Sequence, residues 1–348
     1  MLIAGDIGGT KTLLAIYDFG ERARTPVLQL EYRTADYPAL DVMVREFLAA
    51  SHCAVRAACF DVAGPVIEGR AHLTNLPWTV DAAALRAELA LEEVFLLNDL
   101  QATAYAAPRL RAEELHTINI GKRDATGPIA VIAPGTGLGE AFLVWSNGCY
   151  LACSSEGGHA SFAPTDRRQA ALWHYLSCKF GHVSVERVCS GLGIANIYDF
   201  LRDADPASET VPFAAQLARE SDRTPLIVRA GLADPVNNPL AAAALDLFVA
   251  ALADEAGNLA LKVLSTGGVY LAGGIPRRVL PKLIDGRFLQ AFVKKGRFEE
   301  TMGTLPVHVV TTEAALLGAA QYGLDRLADR AIGGRASGAQ DQDHRDMA

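Results

Sequence analysis

One unit occurs twice in this chain, and it restricts the fold more than any other feature. Leu2 to Gly5 and Leu13 to Tyr17 read as short strands around the loop Gly8-Gly9-Thr10-Lys11-Thr12. Further on, Ile129 to Ala133 and Ala141 to Val144 flank Pro134-Gly135-Thr136-Gly137-Leu138-Gly139. Strand, threonine-bearing glycine loop, strand is thus repeated at wide separation. The repetition predicts an α/β protein of two halves built on one plan.

A chain of 348 residues, half of them hydrophobic, has material for two cores. No apolar run is long enough to span a bilayer, and the start "MLIAGDIGG" has neither a basic region nor a cleavage site, so a cytoplasmic protein without membrane contact is expected. The net charge of −8 argues against a nucleic-acid partner, which would need a clustered basic surface. Lys294-Lys295 is short and reads as solvated surface. Six cysteines without a CxxC pair suggest neither a zinc knuckle nor a disulfide framework, and most read as buried thiols.

Between the two loops, Val94 to Leu97 forms a strand that ends at Asn98-Asp99, ahead of a helix from about Leu100 to Ala107. A carboxylate then lies at the carboxyl end of a strand, where open α/β sheets bind ligands. In the second half, Leu240 to Val263 reads as a helix, and Gly268 to Ala272 as a strand running into Gly273-Gly274. Thr312 to Leu327 reads as a helix, and 331–348 is too polar to order itself.

The chemistry of these stretches stays open residue by residue. In Gly8 to Thr12 the backbone N–H groups can converge as an anion nest, with Thr10 and Thr12 adding hydroxyls and Asp6 holding Mg²⁺ through water. An ordinary glycine hairpin with a capping aspartate accounts for it equally. Walker spacing is absent, and "PGTGLG" leads into a strand rather than the helix of a dinucleotide fold. Asn98-Asp99 supplies either a base for an acceptor hydroxyl or a helix cap. "SSEGGHASFAP" sets Glu156 and His159 around two glycines, facing either a hydroxyl-rich ligand or solvent, and Glu186 alone would pass for a surface charge.

In order along the chain, "GDIGGTKT", "VAGPV", "LNDLQATAYA", "APGTGLG", "SSEGGHASFAP", "ERVCSGLGI", "GGVYLAGGIP" and "TTEAALLGAA" closely resemble the bacterial ATP-dependent glucokinases of the hexokinase, Hsp70 and actin superfamily. The likeness runs from Gly5 to about Gly323. It implies a two-domain ribonuclease H-like (actin-like ATPase) fold with an interdomain cleft, a small α/β domain of 1–110 plus 312–330, a large α+β domain of 111–311, and a tail at 331–348 without order. By the resemblance Asp99 is the catalytic base, and Asn98, Asp99, Glu156, His159 and Glu186 hold glucose. Gly8, Gly9, Thr10, Lys11, Thr12, Gly135, Thr136 and Gly137 bind ATP phosphates, Gly273 and Gly274 lie near adenosine, and Asp6 serves Mg²⁺. A homodimer is implied as well. The related ROK kinases carry a cysteine-rich zinc motif after their glutamate-glycine-histidine segment, and Ala160 to Arg168 contains no cysteine. The alternatives are a kinase for another hexose, such as mannose or N-acetylglucosamine, and a sugar-sensing regulator on the same scaffold.

Overall fold

A computed structural model of the chain describes residues 1–19, 24–73 and 76–343, with side chains through 329. The chain divides into two compact units, Met1–Arg109 with Glu313–Ala348, and Leu110–Thr312.

The first unit opens with strands β1 (Leu2–Ile7), β2 (Lys11–Tyr17) and β3 (Leu28–Arg33), helix α1 (Leu40–Ser51) and strand β4 (Ala57–Val62). Three short strands, β5 (Val66–Ile67), β6 (Arg70–His72) and β7 (Thr79–Asp81), form a separate small sheet before α2 (Ala82–Glu88), β8 (Glu93–Asn98) and α3 (Asp99–Ala106). The main sheet has the order β3-β2-β1-β4-β8. Strand β1 is antiparallel to β2 and parallel to β4, which is parallel to β8.

Side chains alternate across this sheet, so the two faces of β1 build different cores. Ile3 and Ile7 join Phe47 of α1 and Phe60 on one face. Leu2 and Ala4 join Ala57 and Cys59 on the other.

The second unit repeats the plan. Strands β9 (Leu115–Asn119), β10 (Ile129–Pro134), β11 (Leu138–Ser146) and β12 (Cys149–Ser155) precede helices α4 (Arg167–Phe180), α5 (Gly191–Ala204), α6 (Val211–Leu217), α7 (Thr224–Ala233) and α8 (Pro239–Val263). Strand β13 (Gly268–Leu271), short helices α9 (Gly274–Arg278), α10 (Leu280–Leu283), α11 (Arg287–Val293) and α12 (Glu299–Gly303), and strand β14 (Val307–Val310) complete it. The order is β12-β11-β10-β13-β14-β9. Here β10 is antiparallel to β11 and parallel to β13, as β1 is to β2 and β4, and the added β9 runs antiparallel to β14. Helix α8, apolar nearly all round, runs through the centre of this core.

The chain returns to the first unit as α13 (Ala315–Asp343), whose Leu316, Ala319, Ala320 and Leu324 cover the face built on Leu2 and Ala4. The sequence ends this helix near Leu327 and expects no order from 331. Instead the helical backbone continues through 331–343, because a formed helix adds residues without a new nucleus and this stretch contains no proline to stop it. Residues 344–348 of the expected tail lie outside the described residues.

Two surface expectations are corrected. Lys295 is turned inward with a side chain 9% exposed, donating to the Asp254 carbonyl and Asn258 Oδ1 at 2.9 Å each. Only Cys59 and Cys189 are buried, while Cys149 and Cys178 are exposed, because the edge strand β12 and the surface of helix α4 carry the latter pair. No helix among the described residues is long and apolar enough to cross a membrane.

Candidate active site

The parallel strands of the first unit bring a group of carboxylates to their carboxyl ends. Asp6 pairs in register with Asp61, and Val62 with Asn98. By the period of two, Asp6 extends the face of Leu2 and Ala4, and Asp61 that of Ala57 and Cys59. Asp99 follows one residue past β8, as the first residue of α3.

Burial, then the Asp99 and Glu313 carboxylates, pushes the Asp6 carboxyl up to about 6, with the Lys11 ammonium pulling the other way. Asp61 is fully buried, and neither oxygen has a hydrogen-bond partner. Burial and the neighbouring Asp6 and Asp99 hold its pKa well above the carboxylate range. Sequence reasoning passed over Asp61; its one signal was a lone carboxylate inside the apolar strand "AACFDV". These hard oxygen donors, two of them orphaned, fit Mg²⁺. Among the described residues no three His, Cys, Asp or Glu form a metal cage.

Asn98 is the N-cap of α3. Its Oδ1 accepts from the N–H groups of Leu100 and Gln101 at 3.0 and 3.4 Å, and its Nδ2 donates to the Gly64 carbonyl at 3.1 Å. Asp99 Oδ1 accepts from the Leu100 N–H at 2.8 Å, so one carboxylate oxygen is steadied by backbone. Asn98 and Asp99 therefore share the Leu100 N–H, Asn98 as the cap residue and Asp99 as the first residue of the helix.

The first glycine loop is shorter than its sequence suggests. Lys11 and Thr12 belong to β2, which leaves Gly8, Gly9 and Thr10 at the tip. Thr12 points into the core, fully buried, with its hydroxyl 3.0 Å from that of Thr34, so it cannot serve as a phosphate donor in this conformation. Strand alternation turns it inward, just as it leaves Lys11 exposed near Glu31 and Glu313 at 3.6 and 3.5 Å. Thr34, absent from the sequence reading, secures the loop. Its hydroxyl donates to the Gly8 carbonyl at 2.8 Å, and its N–H to the Thr10 carbonyl at 3.1 Å.

In the second unit, Gly135, Thr136 and Gly274 line one cavity of about 550 Å³, together with the first turns of α5 and α7. Two helix N-termini face this space, and although the Gly191, Gly193 and Thr224 N–H groups are already paired, the helix dipoles favour an anion. The glycine loop is pinned from behind, since the Gly191 N–H donates to the Gly135 carbonyl at 2.8 Å and the Thr224 hydroxyl to the Gly191 carbonyl at 2.8 Å. Gly273 has φ of +87°, and a Cβ there would come within 2.9 Å of the Pro134 carbonyl oxygen. Only glycine fits that crossing. Ser221 to Pro225 form another wall, which the sequence reading missed because no glycine motif marks it. Arg223, within that wall, is held by Asp199 through paired bonds of 2.7 and 2.8 Å.

Glu156 precedes a single 3-10 turn, Gly157–His159, which places the Glu156 and His159 side chains on the same side at 3.8 Å, both exposed. The Phe162 N–H donates to the Val183 carbonyl, and the Val185 N–H to the Ala160 carbonyl, each at 2.9 Å, which stitches this segment to the stretch carrying Glu186. Glu186 Oε2 accepts from the Leu138 N–H at 3.0 Å and lies where a Cβ on Gly137 would be. Glu186 thus buttresses the second glycine loop while sitting close to the Glu156 turn, a linkage its local sequence does not announce.

A repeated five-strand plan, carboxylates at the strand ends of one repeat and a nucleotide-sized cavity in the other define a sugar kinase of the actin-like α/β class. The glucokinase family model matches residues 3–325. The Nostoc punctiforme glucokinase is 39% identical, with 92% of this chain and 98% of that protein covered. A Synechocystis glucokinase is 40% identical over 91% and 96%. The crystal structure of a glucokinase from an Antarctic psychrotroph superposes with a TM-score of 0.80 at 33% identity, covering 92% and 97% of the two chains. The chain belongs to the glucokinase family, whose members are ATP-dependent hexose kinases. At 18% identity and a TM-score of 0.60, a ROK glucokinase from Streptomyces griseus shares the fold.

Proposed function

We propose that this chain transfers the γ-phosphoryl group of ATP to the 6-hydroxyl of D-glucose, with Asp99 as general base. The observation that carries the reading is the placement of Asp99 at the end of β8, its carboxylate anchored on the Leu100 N–H. From there it takes the hydroxyl proton as the new O–P bond forms. Glu156, His159 and Glu186 hold other sugar hydroxyls, and a site built to hydrogen-bond each hydroxyl rejects analogues that leave its groups unpaired. Asn98, its amide committed to the α3 cap and Gly64, fixes the approach of Asp99 and presents what acceptor capacity remains.

Gly8 to Thr10 and Gly135 to Gly137 cradle phosphates, the cavity bounded by Gly274 and α7 takes adenosine, and Asp6 is the residue that would hold Mg²⁺. When bound, that ion neutralises charge on the phosphates. Every other task falls to this chain, and positioning supplies most of the catalysis. A homodimer in the cytoplasm is part of the same reading, tested by light scattering of the purified protein.

A coupled assay with Mg²⁺-ATP against a hexose panel tests the reading. Glucose-dependent ADP release exceeding that with mannose or N-acetylglucosamine is expected. Preference for another hexose would reassign the acceptor, and sugar binding without ADP release would make the chain a sensor.

A further inference from the structure

One buried carboxyl of the second unit has no part in the reaction so far. Glu140, in β11, is 1% exposed, and its Oε1 has no hydrogen-bond partner. It lies opposite Ser155 of β12, whose Oγ accepts from the Gly157 N–H at 3.0 Å. Its Oε2 presses against Gly157 at the point where a Cβ would be. Glu140 is thus the floor of the turn that carries Glu156 and His159.

The polar groups behind that floor are matched to one another and leave Glu140 out. Glu255 of α8 accepts from Asn258 Nδ2 at 3.1 Å and faces Lys262 at 3.4 Å. Asp254 accepts from the Thr165 hydroxyl at 2.7 Å and Gln169 Nε2 at 2.8 Å, and Lys295 is committed to Asp254 and Asn258. Cys189, buried between these carboxyls, is pushed up by burial and then by Glu255, Glu140 and Asp254. On the far side of the turn stand Glu156 and His159 themselves. An ionised Glu140 would be repelled by Glu255 more than Lys262 would offset.

We propose that Glu140 is a positioning residue for the acceptor turn, supporting Gly157 as a neutral carboxyl and displacing the turn when it ionises, so that sugar affinity weakens while the chemical step does not. This rests on the reading of Glu156 and His159 as sugar ligands. Burial first, and then Glu255, pushes the Glu140 carboxyl up to about 7, with Lys262 pulling the other way. Below that pH the group is neutral and can sit unpaired at modest cost. Above it, a buried charge must find water or separate from Glu255, and the mobile partner is the glycine turn.

The test is glucose KM and kcat from pH 6 to 8.5 for the natural chain, Glu140→Gln and Glu140→Ala. In the natural chain KM should rise several-fold through pH 7 with kcat following its own separate profile. Glu140→Gln, permanently neutral and nearly the same shape, should hold the low-pH KM throughout, and Glu140→Ala should bind uniformly worse at every pH. A flat KM in the natural chain, or a Glu140→Gln profile that tracks it, would overturn the proposal.

Hydrogen exchange of residues 155–162 in the sugar-free protein gives a readout that needs neither turnover nor a folded variant. After correction for intrinsic rates, protection in the natural chain should step down with a midpoint near pH 7, and its absence would overturn the proposal. Should no hexose elicit ADP release, the kinase reading fails, while the exchange step still decides the role of Glu140.

Discussion

Asp6 and Asp61 lie opposite each other in parallel register, and the Asp61 carboxyl is buried there with neither oxygen hydrogen-bonded. A carboxyl so placed keeps its proton in the folded protein far above the pH at which the unfolded chain releases it. From about pH 4 upward, therefore, the folded state binds the extra proton and loses stability as the pH rises. Asp61→Asn removes this dependence, and its amide can donate to Asp6. The variant should be more stable than the natural chain at pH 8 by on the order of 1–3 kcal/mol, with the gap closing toward pH 4. Urea denaturation at both pH values checks this, and equal stability at pH 8 would show that Asp61 is solvated or paired.

Glu186 accepts the Leu138 N–H and fills the space beside Gly137, so it supports the second glycine loop with no sugar present. Glu186→Ala leaves that N–H without its charged acceptor, a loss of about 1.5–3 kcal/mol if none is regained. Affinity for a non-hydrolysable ATP analogue, measured by calorimetry without sugar, should fall about tenfold. Glu186→Gln, which keeps an oxygen acceptor, should fall less. Unchanged nucleotide affinity in the alanine variant would confine Glu186 to the sugar.

At Gly273 the positive φ and the nearby Pro134 carbonyl leave no room for a side chain. Gly273→Ala should cost about 1–3 kcal/mol in urea denaturation and weaken nucleotide binding more than sugar binding. Wild-type stability in this variant would mean that the strand-to-helix crossing relaxes without strain.

The hairpins, the strand ending at Asn98 and the long helix α8 were legible because strand alternation, glycine punctuation and apolar periodicity are local signals. Features created by register were not. Thr12 reads as a loop hydroxyl until strand pairing starts at Lys11 and turns it inward toward Thr34. Asp61 gains meaning only opposite Asp6, and Ser221 to Pro225 only where α7 begins beside α5. Lys295 looks like surface in "VKKG" and becomes a core partner of Asp254 because the end of α11 packs on α8. Asn98-Asp99 posed a choice between cap and base; in the fold Asn98 is the cap of α3, so capping does not compete with the role proposed for Asp99.

The central claim rests on that division of labour, and the most direct measurement is glucose-dependent ADP release by the natural chain and Asp99→Asn at pH 7.5, with glucose binding followed by calorimetry. The account predicts that Asp99→Asn binds glucose within a few-fold of the natural chain while kcat falls by about 10²–10⁴. Near-normal turnover in a folded Asp99→Asn protein would contradict it and move the base to another residue.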